Sequence, residues 1–253
     1  MNISLAIPFF NNSKFAKELL NEYVLNDERI SEIIILDDKS TDIEYEKLLE
    51  IVKNIDSNKI KVFRNKENLN IPLNKIEVLK YCNNDWIFLF DSDNYIVKET
   101  IDILYSLPEW KENYIYAPTD VKKIGRASNQ LNFTRYNNVI FNKHKLKTMD
   151  FFDRRLVCFM NMCNYFLNRK SYLKCMEDNL YIINDIINSI GPKLLAPWDS
   201  VLLFSIWLSA NNNNILGVKG LKYYHRLYRG STFYRSNKSK MGFVFSKCKS
   251  LVQ

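Results

Sequence analysis

The first 110 residues alternate between short apolar runs and longer segments whose apolar side chains recur at helical spacing. Each short run predicts a strand, and the runs are Ile3–Ile7, Glu32–Leu36, Ile60–Phe63 and Asp85–Phe90. The other segments predict helices, which are Lys14–Leu25 with Ser13 as its N-cap, Asp42–Ile55 with Asp42 as its cap, Pro72–Cys82 and Lys98–Leu107. Four strand–helix repeats predict an α/β fold, a mainly parallel sheet with helices on both faces.

The pattern after residue 110 is less regular. Tyr114–Pro118 and Val218–Tyr224 predict strands, and residues 120–155 predict loops and short strands. Leu156–Leu167 fits either a strand or a buried helix, because periodicity alone does not separate the two. Three further helices are expected, which are Ser171–Met176, Leu180–Ile190 and Ser200–Ala210 with Asp199 at its start. No internal repeat and no clean domain boundary interrupts the chain.

Composition narrows the class of protein. The chain has 253 residues, of which 47% are hydrophobic and 25% charged, and this excludes a disordered, collagenous or disulfide-rich protein. Five cysteines without a CxxC pair favour reduced thiols over a disulfide framework or a thiolate zinc site. The start of the chain lacks the features of a signal peptide. The longest apolar stretch, Val201–Ala210, is shorter than the about 20 residues that cross a bilayer. We therefore expect a cytoplasmic protein.

Charge is distributed unevenly along the chain. Lysine and arginine number 36 and aspartate and glutamate 28, a formal net charge of +8, yet no acidic residue follows Asp199. Residues 1–199 carry nearly equal numbers of basic and acidic side chains, and the chain has no recognition motif. Both observations disfavour a nucleic-acid-binding protein. The last segment, Phe233–Gln253, mixes basic and apolar residues, a composition that suits peripheral contact with an anionic membrane. A packed or disordered basic tail is the alternative.

Polar residues follow three of the four predicted strands, at the edge of the sheet where ligands bind in such folds. They are Asn11 and Asn12 after the first strand, Asp37 and Asp38 after the second, and Asp91 and Asp93 after the fourth. Two carboxylates two residues apart can share one Mg²⁺ or Mn²⁺, which prefers oxygen ligands and keeps waters and substrate phosphates. A carboxylate such as Asp38 can accept a hydrogen bond from a base such as uracil. Solvated turn acids and a helix N-cap are the alternatives.

The order of these residues resembles that of the motifs in family 2 glycosyltransferases of the GT-A fold, over roughly residues 1–105. The matching segments are Ile7-Pro8-Phe9-Phe10-Asn11-Asn12, Asp37-Asp38-Lys39-Ser40-Thr41-Asp42, Asn68 to Asn74 and Asp91-Ser92-Asp93, with further matches at Trp198-Asp199 and Tyr224-His225-Arg226. Three positions depart from the family: Asn70 stands where glycine is usual, Leu73 where arginine is frequent, and Lys39 where glycine is common. These departures weaken the donor assignment more than the fold.

The resemblance implies a Rossmann-like GT-A domain over residues 1–225, with a donor half at 1–110 and a smaller mixed acceptor half at 111–225, followed by a basic flap and tail at 226–253. It implies metal-dependent, inverting transfer of a sugar from a nucleotide sugar, taken here as a UDP sugar, to a hydroxyl of a glycan or lipid-linked saccharide. The divalent metal would be Mn²⁺ or Mg²⁺.

Individual roles follow from the resemblance for most of the candidate site residues. Pro8 and Phe10 would wall the base, Asp38 would bind it, and Asn74 would support the nucleotide site. The residues expected to bind the donor nucleotide are Pro8, Phe10, Asn11, Asp38, Asn74, Asp91, Arg226 and Arg229. The expected metal ligands are Asp91, Asp93 and His225. Arg226 and Arg229 flank the diphosphate in this prediction because guanidinium groups pair bidentately with phosphate oxygens.

Inverting transfer needs a base that takes the proton of the acceptor hydroxyl. In the family this is an acid, often the second of a Glu-Asp pair at a helix start. That helix lies well after the DxD motif, which in this chain is Asp91-Ser92-Asp93. Asp199 fits that position, although Trp198 stands where the glutamate would be. A helix N-cap is the alternative role for Asp199, and Asp185 and Glu177 are weaker candidates for the base.

Two other functions compete with transfer. A catalytically degenerate domain would bind a nucleotide sugar or glycan without turnover. A sugar-phosphate nucleotidyltransferase has a related α/β fold but usually a glycine-rich loop near its amino terminus. Ile3–Asn12 contains no glycine, which disfavours the nucleotidyltransferase.

Overall fold

A single sheet runs through the whole fold. The computed structural model describes residues 1–125, 132–151, 153–162, 164–228 and 240–252. The strands are β1 (Ile3–Phe9), β2 (Ile30–Asp37), β3 (Ile60–Arg64), β4 (Trp86–Leu89), β5 (Tyr114–Gly125), β6 (Ile140–Phe141), β7 (Tyr165–Asn168) and β8 (Asn214–Leu227). Their order in the sheet is β3-β2-β1-β4-β7-β5-β8-β6.

The strand directions change between the two halves of the sheet. β1 pairs in parallel with β2 and β4, and β2 pairs in parallel with β3. β7 is antiparallel to both β4 and β5, whereas β5 and β8 are parallel and β6 is antiparallel to β8. The predicted mainly parallel α/β sheet with a mixed second portion is confirmed. Both halves contribute strands to the same sheet.

Helices cover this sheet and form the connections between its strands. They are α1 (Ala16–Leu19), α2 (Glu22–Asn26), α3 (Asp42–Ile55), α4 (Ile71–Lys80), α5 (Lys98–Ser106), α6 (Lys143–Lys147), α7 (Arg154–Met160), α8 (Arg169–Asp178), α9 (Leu180–Ile190), α10 (Pro192–Leu195), α11 (Asp199–Ser209) and α12 (Met241–Val252). Short 3₁₀ turns occur at Ser13–Phe15, Thr134–Tyr136 and Ala196–Trp198. All side chains of β4 and β7 are buried, so the core continues across the junction between the two halves.

Local hydrogen bonds account for two differences from the sequence prediction. The predicted helix Lys14–Leu25 is broken into a 3₁₀ turn, α1 and α2, because the Asn21 side chain accepts from the amides of Tyr23 and Val24 and starts a new helix. Ser13 is not an α-helix N-cap, since its buried hydroxyl donates to Glu44 Oε2 at 2.7 Å. Similarly, Thr41 rather than Asp42 caps α3.

The second half is more helical than its sequence pattern predicts. Leu156–Leu167, left open between strand and helix, contains the end of α7 and the start of β7. The predicted strands at Tyr114–Pro118 and Val218–Tyr224 are parts of the longer β5 and β8. These two strands pair in parallel over most of their length.

The carboxyl-terminal region forms a packed helix. α12 lies against α11, with Val244, Phe245, Cys248 and Val252 buried. The Phe245 ring lies 4.9 Å from the Trp198 ring, centroid to centroid. Among the described residues, no helix combines the length and the apolar character needed to cross a bilayer. Much of the apolar composition of the predicted tail is therefore used in packing.

Candidate active site

The carboxyl ends of β1, β2 and β4 and the start of α4 meet at one edge of the sheet. Pro8 is half-buried near the end of β1, and Phe10 follows it with 44% of its surface exposed. Asn11 adopts a positive φ of 51° and accepts a hydrogen bond from the Thr41 amide at 3.0 Å. Asn12 donates to the hydroxyl of Ser92 at 3.0 Å, which ties the loop after β1 to the DxD turn.

Asp38 is held in a fixed orientation by a small polar network. Its Oδ1 accepts from the Leu69 amide at 2.7 Å and from the Asn65 side chain at 2.9 Å. Asn65 also donates to Asn74 Oδ1 at 3.0 Å, and Asn74 donates in turn to the Leu36 carbonyl. Burial raises the pKa of Asp38, and these hydrogen bonds oppose that shift. The carboxylate and the start of α4 are thereby fixed relative to each other.

Asp37 has a different environment from its neighbour. Its side chain is fully buried and its Oδ2 lies 3.0 Å from Arg64 Nε. Arg64 also donates to Asp42 at 2.8 Å and stacks on the Tyr45 ring. Of the two adjacent aspartates, Asp37 therefore anchors the end of β2 to β3 and α3, whereas Asp38 points toward α4 and its preceding loop.

Two of the three departures from the family pattern have the backbone conformation that glycine favours. Lys39 has a φ of 61°, and Asn70 has a φ of 70° with a ψ of 162°. Positive φ is uncommon for residues with a Cβ, and the combination at Asn70 is nearly restricted to glycine. The loops keep the glycine-type conformation although the glycines are absent.

The DxD turn brings two carboxylates to the end of β4. The Asp91 amide donates to Asn164 Oδ1 at 2.9 Å, and the Asn94 amide closes the turn onto the Asp91 carbonyl. Burial, and after it the charge of Asp91, raises the pKa of Asp93 to about 7. The proximity of two acids therefore carries an electrostatic cost that a bound cation would relieve.

Lys75 joins the DxD turn to Asp199. Its Nζ lies 2.7 Å from Asp199 Oδ2 and 3.3 Å from Asp91 Oδ1, and the Lys75 side chain is only 4% exposed. The Ser200 hydroxyl donates to Asp199 at 3.1 Å. Asp199 is the first residue of α11 and Trp198 is the N-cap residue, so Asp199 does not stand at the N-cap position of that helix.

Lys75 was missed by the sequence analysis, although the chain carries a signal for it. Lys75, Val78 and Leu79 share one face of α4 by their spacing, and all three are buried. A lysine on an otherwise apolar face needs a partner inside the protein.

The end of β8 lies against the DxD turn from the other side. Arg226 donates through its amide to Asn94 Oδ1 and through Nε to the Asp93 carbonyl, and it pairs with Glu18. The Tyr228 hydroxyl donates to Asn12 Oδ1 at 3.2 Å. The Arg226 guanidinium is thus committed to contacts within the protein. Arg229, predicted to bind the diphosphate, lies outside the described residues.

His225 lies beside this contact. Burial lowers its pKa to about 4, so the imidazole is neutral, and its Nδ1 has no hydrogen-bond partner among the described residues. Neutral imidazole is the form that binds metals. No group of three or more His, Cys, Asp or Glu side chains is arranged to hold a metal ion in the part of the chain described. His225 is therefore not preassembled with the two aspartates, and its metal role stays a prediction.

The donor set nevertheless fits a hard divalent cation. Asp91 and Asp93 supply carboxylate oxygens, which Mg²⁺ and Mn²⁺ prefer, and such ions usually take their remaining ligands from water and substrate phosphates. Burial and the neighbouring charge of Asp91 raise the pKa of Asp93, and a bound cation would favour its charged form.

Comparisons with known proteins identify the family and the fold of the chain. The family described as Glycosyl transferase family 2 matches residues 4–176. The abequosyltransferase RfbV of Salmonella typhimurium is 33% identical over 107 residues, an alignment that covers 41% of this chain and 32% of RfbV. The poly(ribitol-phosphate) beta-N-acetylglucosaminyltransferase TarP of Staphylococcus aureus is 24% identical over 239 residues, covering 88% of this chain and 68% of TarP.

A solved structure shows the same fold. The crystal structure of Staphylococcus aureus TarS 1-349 in complex with UDP-GlcNAc superposes with a TM-score of 0.63 at 19% identity, and the match covers 100% of this chain and 65% of that one. The chain spans about a third of RfbV and about two thirds of the TarS structure.

Proposed function

Because the chain belongs to glycosyl transferase family 2 and has the GT-A fold, we propose that it transfers a sugar from a nucleotide sugar to an acceptor hydroxyl with inversion. The observation that carries the proposal is the contact of Lys75 with both Asp91 and Asp199. Through it, the acid of the DxD turn and the candidate base face each other across one buried position. Residues 1–110 form the donor half in this proposal and residues 111–225 the acceptor half.

The donor in this proposal is a UDP sugar. Asp38 is buried and oriented by Asn65 and Leu69, and its carboxylate accepts the N–H of uracil. Pro8 and Phe10 flank the base, with Asn11 beside them, and Asn74 keeps Asp38 in register with α4 through Asn65. The complex of TarS with UDP-GlcNAc supports this donor class.

Asp91 and Asp93 hold a divalent cation, Mn²⁺ or Mg²⁺, together with the donor diphosphate. When bound, this ion supplies positive charge that stabilises the nucleoside diphosphate as it leaves. The Asn164 side chain and the Asn94 turn orient the two acids toward the sheet edge. Arg226 supports the turn through the Asp93 carbonyl, and His225 and Arg229 are the further candidates near the diphosphate.

Asp199 is the base. It accepts the proton of the acceptor hydroxyl while the oxygen of that hydroxyl attacks the sugar from the face opposite the leaving group. Lys75 and Ser200 both contact the Oδ2 atom of Asp199 and thereby orient its carboxylate. The acceptor is a glycan or a lipid-linked saccharide, and the name of TarP, a poly(ribitol-phosphate) beta-N-acetylglucosaminyltransferase, supports a polymeric acceptor.

A screen of nucleotide sugars by thermal unfolding, with and without Mn²⁺, tests the proposal. A bound ligand raises the unfolding temperature, so the donor and the metal are identified together. Asp93→Asn is expected to remove the Mn²⁺-dependent part of the shift. Asp85→Asn, an exposed change just before β4 at the opposite edge of the sheet, is the control and keeps it.

Turnover separates transfer from binding alone. The donor found in the screen is incubated with a panel of glycan acceptors, and release of the nucleoside diphosphate is measured for the wild type and for Asp199→Asn. Loss of turnover by about 10²-fold or more in Asp199→Asn supports the base. Donor binding without turnover in the wild type would favour a domain that only binds its ligand.

A further inference from the structure

Lys75 is a buried cation between two acids. Its ammonium contacts Asp199 at 2.7 Å and Asp91 at 3.3 Å, with the Ser200 hydroxyl at 3.3 Å. Removing an ammonium group from water is costly unless charged partners compensate it. The two carboxylates provide that compensation, one from the donor half and one from the acceptor half.

The same contact has a consequence for metal binding. Asp91 is a proposed ligand of the divalent cation, and a carboxylate already compensated by an ammonium group attracts a second cation less strongly. A divalent ion at Asp91 would also stand close to the Lys75 charge. A donor diphosphate changes this balance, because its oxygens bring negative charge next to both cations.

We propose that Lys75 is the resident counter-ion of Asp91 and Asp199, and that it makes binding of the divalent cation conditional on the donor diphosphate. The inference rests on the proposed function, which assigns Asp91 as a metal ligand. Lys75 is a positioning residue in this scheme. It neutralises Asp91 until the diphosphate binds, and it keeps Asp199 oriented throughout.

The double variant Lys75→Met/Asp199→Asn tests the proposal without changing the net charge. It removes the ammonium and its closest carboxylate together, so neither is left buried and unpaired, while Asp91 and Asp93 remain. Binding of Mn²⁺ in the absence of nucleotide is measured from the electron paramagnetic resonance signal of the free ion. We expect the double variant to bind Mn²⁺ tighter than the wild type by roughly tenfold or more, because a partly buried charge is weakly screened.

Addition of UDP supplies the second readout. UDP is expected to increase the Mn²⁺ affinity of the wild type by a larger factor than that of the double variant, since only the wild type has an ammonium to be neutralised. By linkage, Mn²⁺ must increase the affinity for UDP by the same factor in each protein, which checks the measurement.

Two controls isolate the role of Lys75. Lys75→Arg keeps the charge and should retain weak Mn²⁺ binding without nucleotide. Lys170→Met/Asp85→Asn removes an exposed pair with a 3.0 Å contact at the opposite edge of the sheet and should leave Mn²⁺ binding unchanged. If the methionine variant does not fold, Lys75→Gln/Asp199→Asn replaces it with polar side chains of similar size.

Equal or weaker Mn²⁺ binding by the double variant, relative to the wild type, would overturn the proposal. That outcome is distinct from failure of the proposed function, which would appear as wild-type protein that binds Mn²⁺ but no nucleotide sugar. A wild type that binds neither overturns both.

Discussion

Buried polar side chains at the sheet edge divide their roles residue by residue. Asp37 pairs with Arg64 and links β2 to β3, whereas Asp38 accepts through Oδ1 from the Leu69 amide and the Asn65 side chain. Adjacent residues of the same type thus have different functions because one ends the strand and the other begins the loop.

Asp38→Asn is expected to change the preference for the base. The amide nitrogen would face the N–H of uracil, leaving two donors opposed, and the affinity for UDP should fall by about tenfold or more. Cytosine has an acceptor nitrogen at the same position, so CDP should bind the variant relatively better. Titration calorimetry with both nucleotides measures this. Asp42→Asn, an exposed change at the start of α3, should leave both affinities unchanged. An unchanged UDP affinity in Asp38→Asn would exclude base recognition by Asp38.

Asn70→Gly is expected to stabilise the protein. The φ of 70° and ψ of 162° at Asn70 are strained for any residue with a Cβ, and relief of that strain should raise the free energy of unfolding by about 1 kcal/mol. Asn70→Ala keeps the Cβ and should not stabilise. Chemical denaturation of the three proteins measures the difference; a destabilised glycine variant would show that the Asn70 side chain contributes more than its backbone costs.

At this scale the sequence predicted motifs better than contacts. The acids after β2 and β4 were located because parallel strands bring their carboxyl ends together. Lys75 was overlooked because the family pattern drew attention to Leu73, and only the tertiary structure brings residues 75 and 199 together. The donor-binding role of Arg226 stays a prediction, and its guanidinium pairs with Glu18, a partner far away in the sequence.

Single elements of the fold depend on which side chains they bury. α12 was predicted only as part of a basic tail, yet Val244, Phe245, Cys248 and Val252 recur at helical spacing and pack on α11. The large number of lysines directed the interpretation toward charge and away from periodicity. α2 was missed for a different reason: a single Asn21 cap divides a segment that looks continuous in its apolar pattern.

Phe245→Ala is expected to destabilise the protein strongly. Phe245 is 5% exposed and contacts Trp198, and truncation of a buried phenylalanine typically costs about 3–5 kcal/mol. Phe243, two residues earlier on the same helix, is 36% exposed, and Phe243→Ala should change the free energy of unfolding by less than about 0.5 kcal/mol. Urea denaturation of both variants measures this, and equal effects would mean that α12 does not pack as described.

Acidic and basic residues are distributed unevenly over the whole chain. Every acidic residue lies at or before Asp199, and nine basic residues follow it. In the sheet, the parallel pairing of β5 with β8 joins segments about a hundred residues apart, and local periodicity contains no information on such a pairing. The parallel first half could be derived from its strand–helix repeats, although there too β1 pairs with the distant β4, with Ile3 opposite Trp86.

Contact of the carboxyl-terminal segment with an anionic membrane stays a prediction. The packing of α12 limits which of its side chains could make that contact. Because Val244, Phe245, Cys248 and Val252 of α12 are buried, whereas Met241 and Phe243 are exposed, we expect the lysines to dominate any such contact. Co-sedimentation with vesicles that contain phosphatidylglycerol should therefore be lost when salt is raised to about 0.5 M. It should also weaken when Lys240, Lys247 and Lys249 are changed to glutamine. The control changes the exposed Lys17, Lys53 and Lys80 instead, and equal loss in both triple variants would exclude a specific face.

The separation of Lys75 and Asp199 along the chain determines the order in which the residues of the proposed site are synthesised. The two residues are 124 positions apart, so a chain growing at about 5–20 residues per second exposes Asp199 on the order of ten seconds after Lys75. During that interval the proposed base is absent and Lys75 has Asp91 as its available acid. Under the proposed function, a growing chain therefore carries Asp38, Asp91 and Asp93 before it carries the proposed base Asp199.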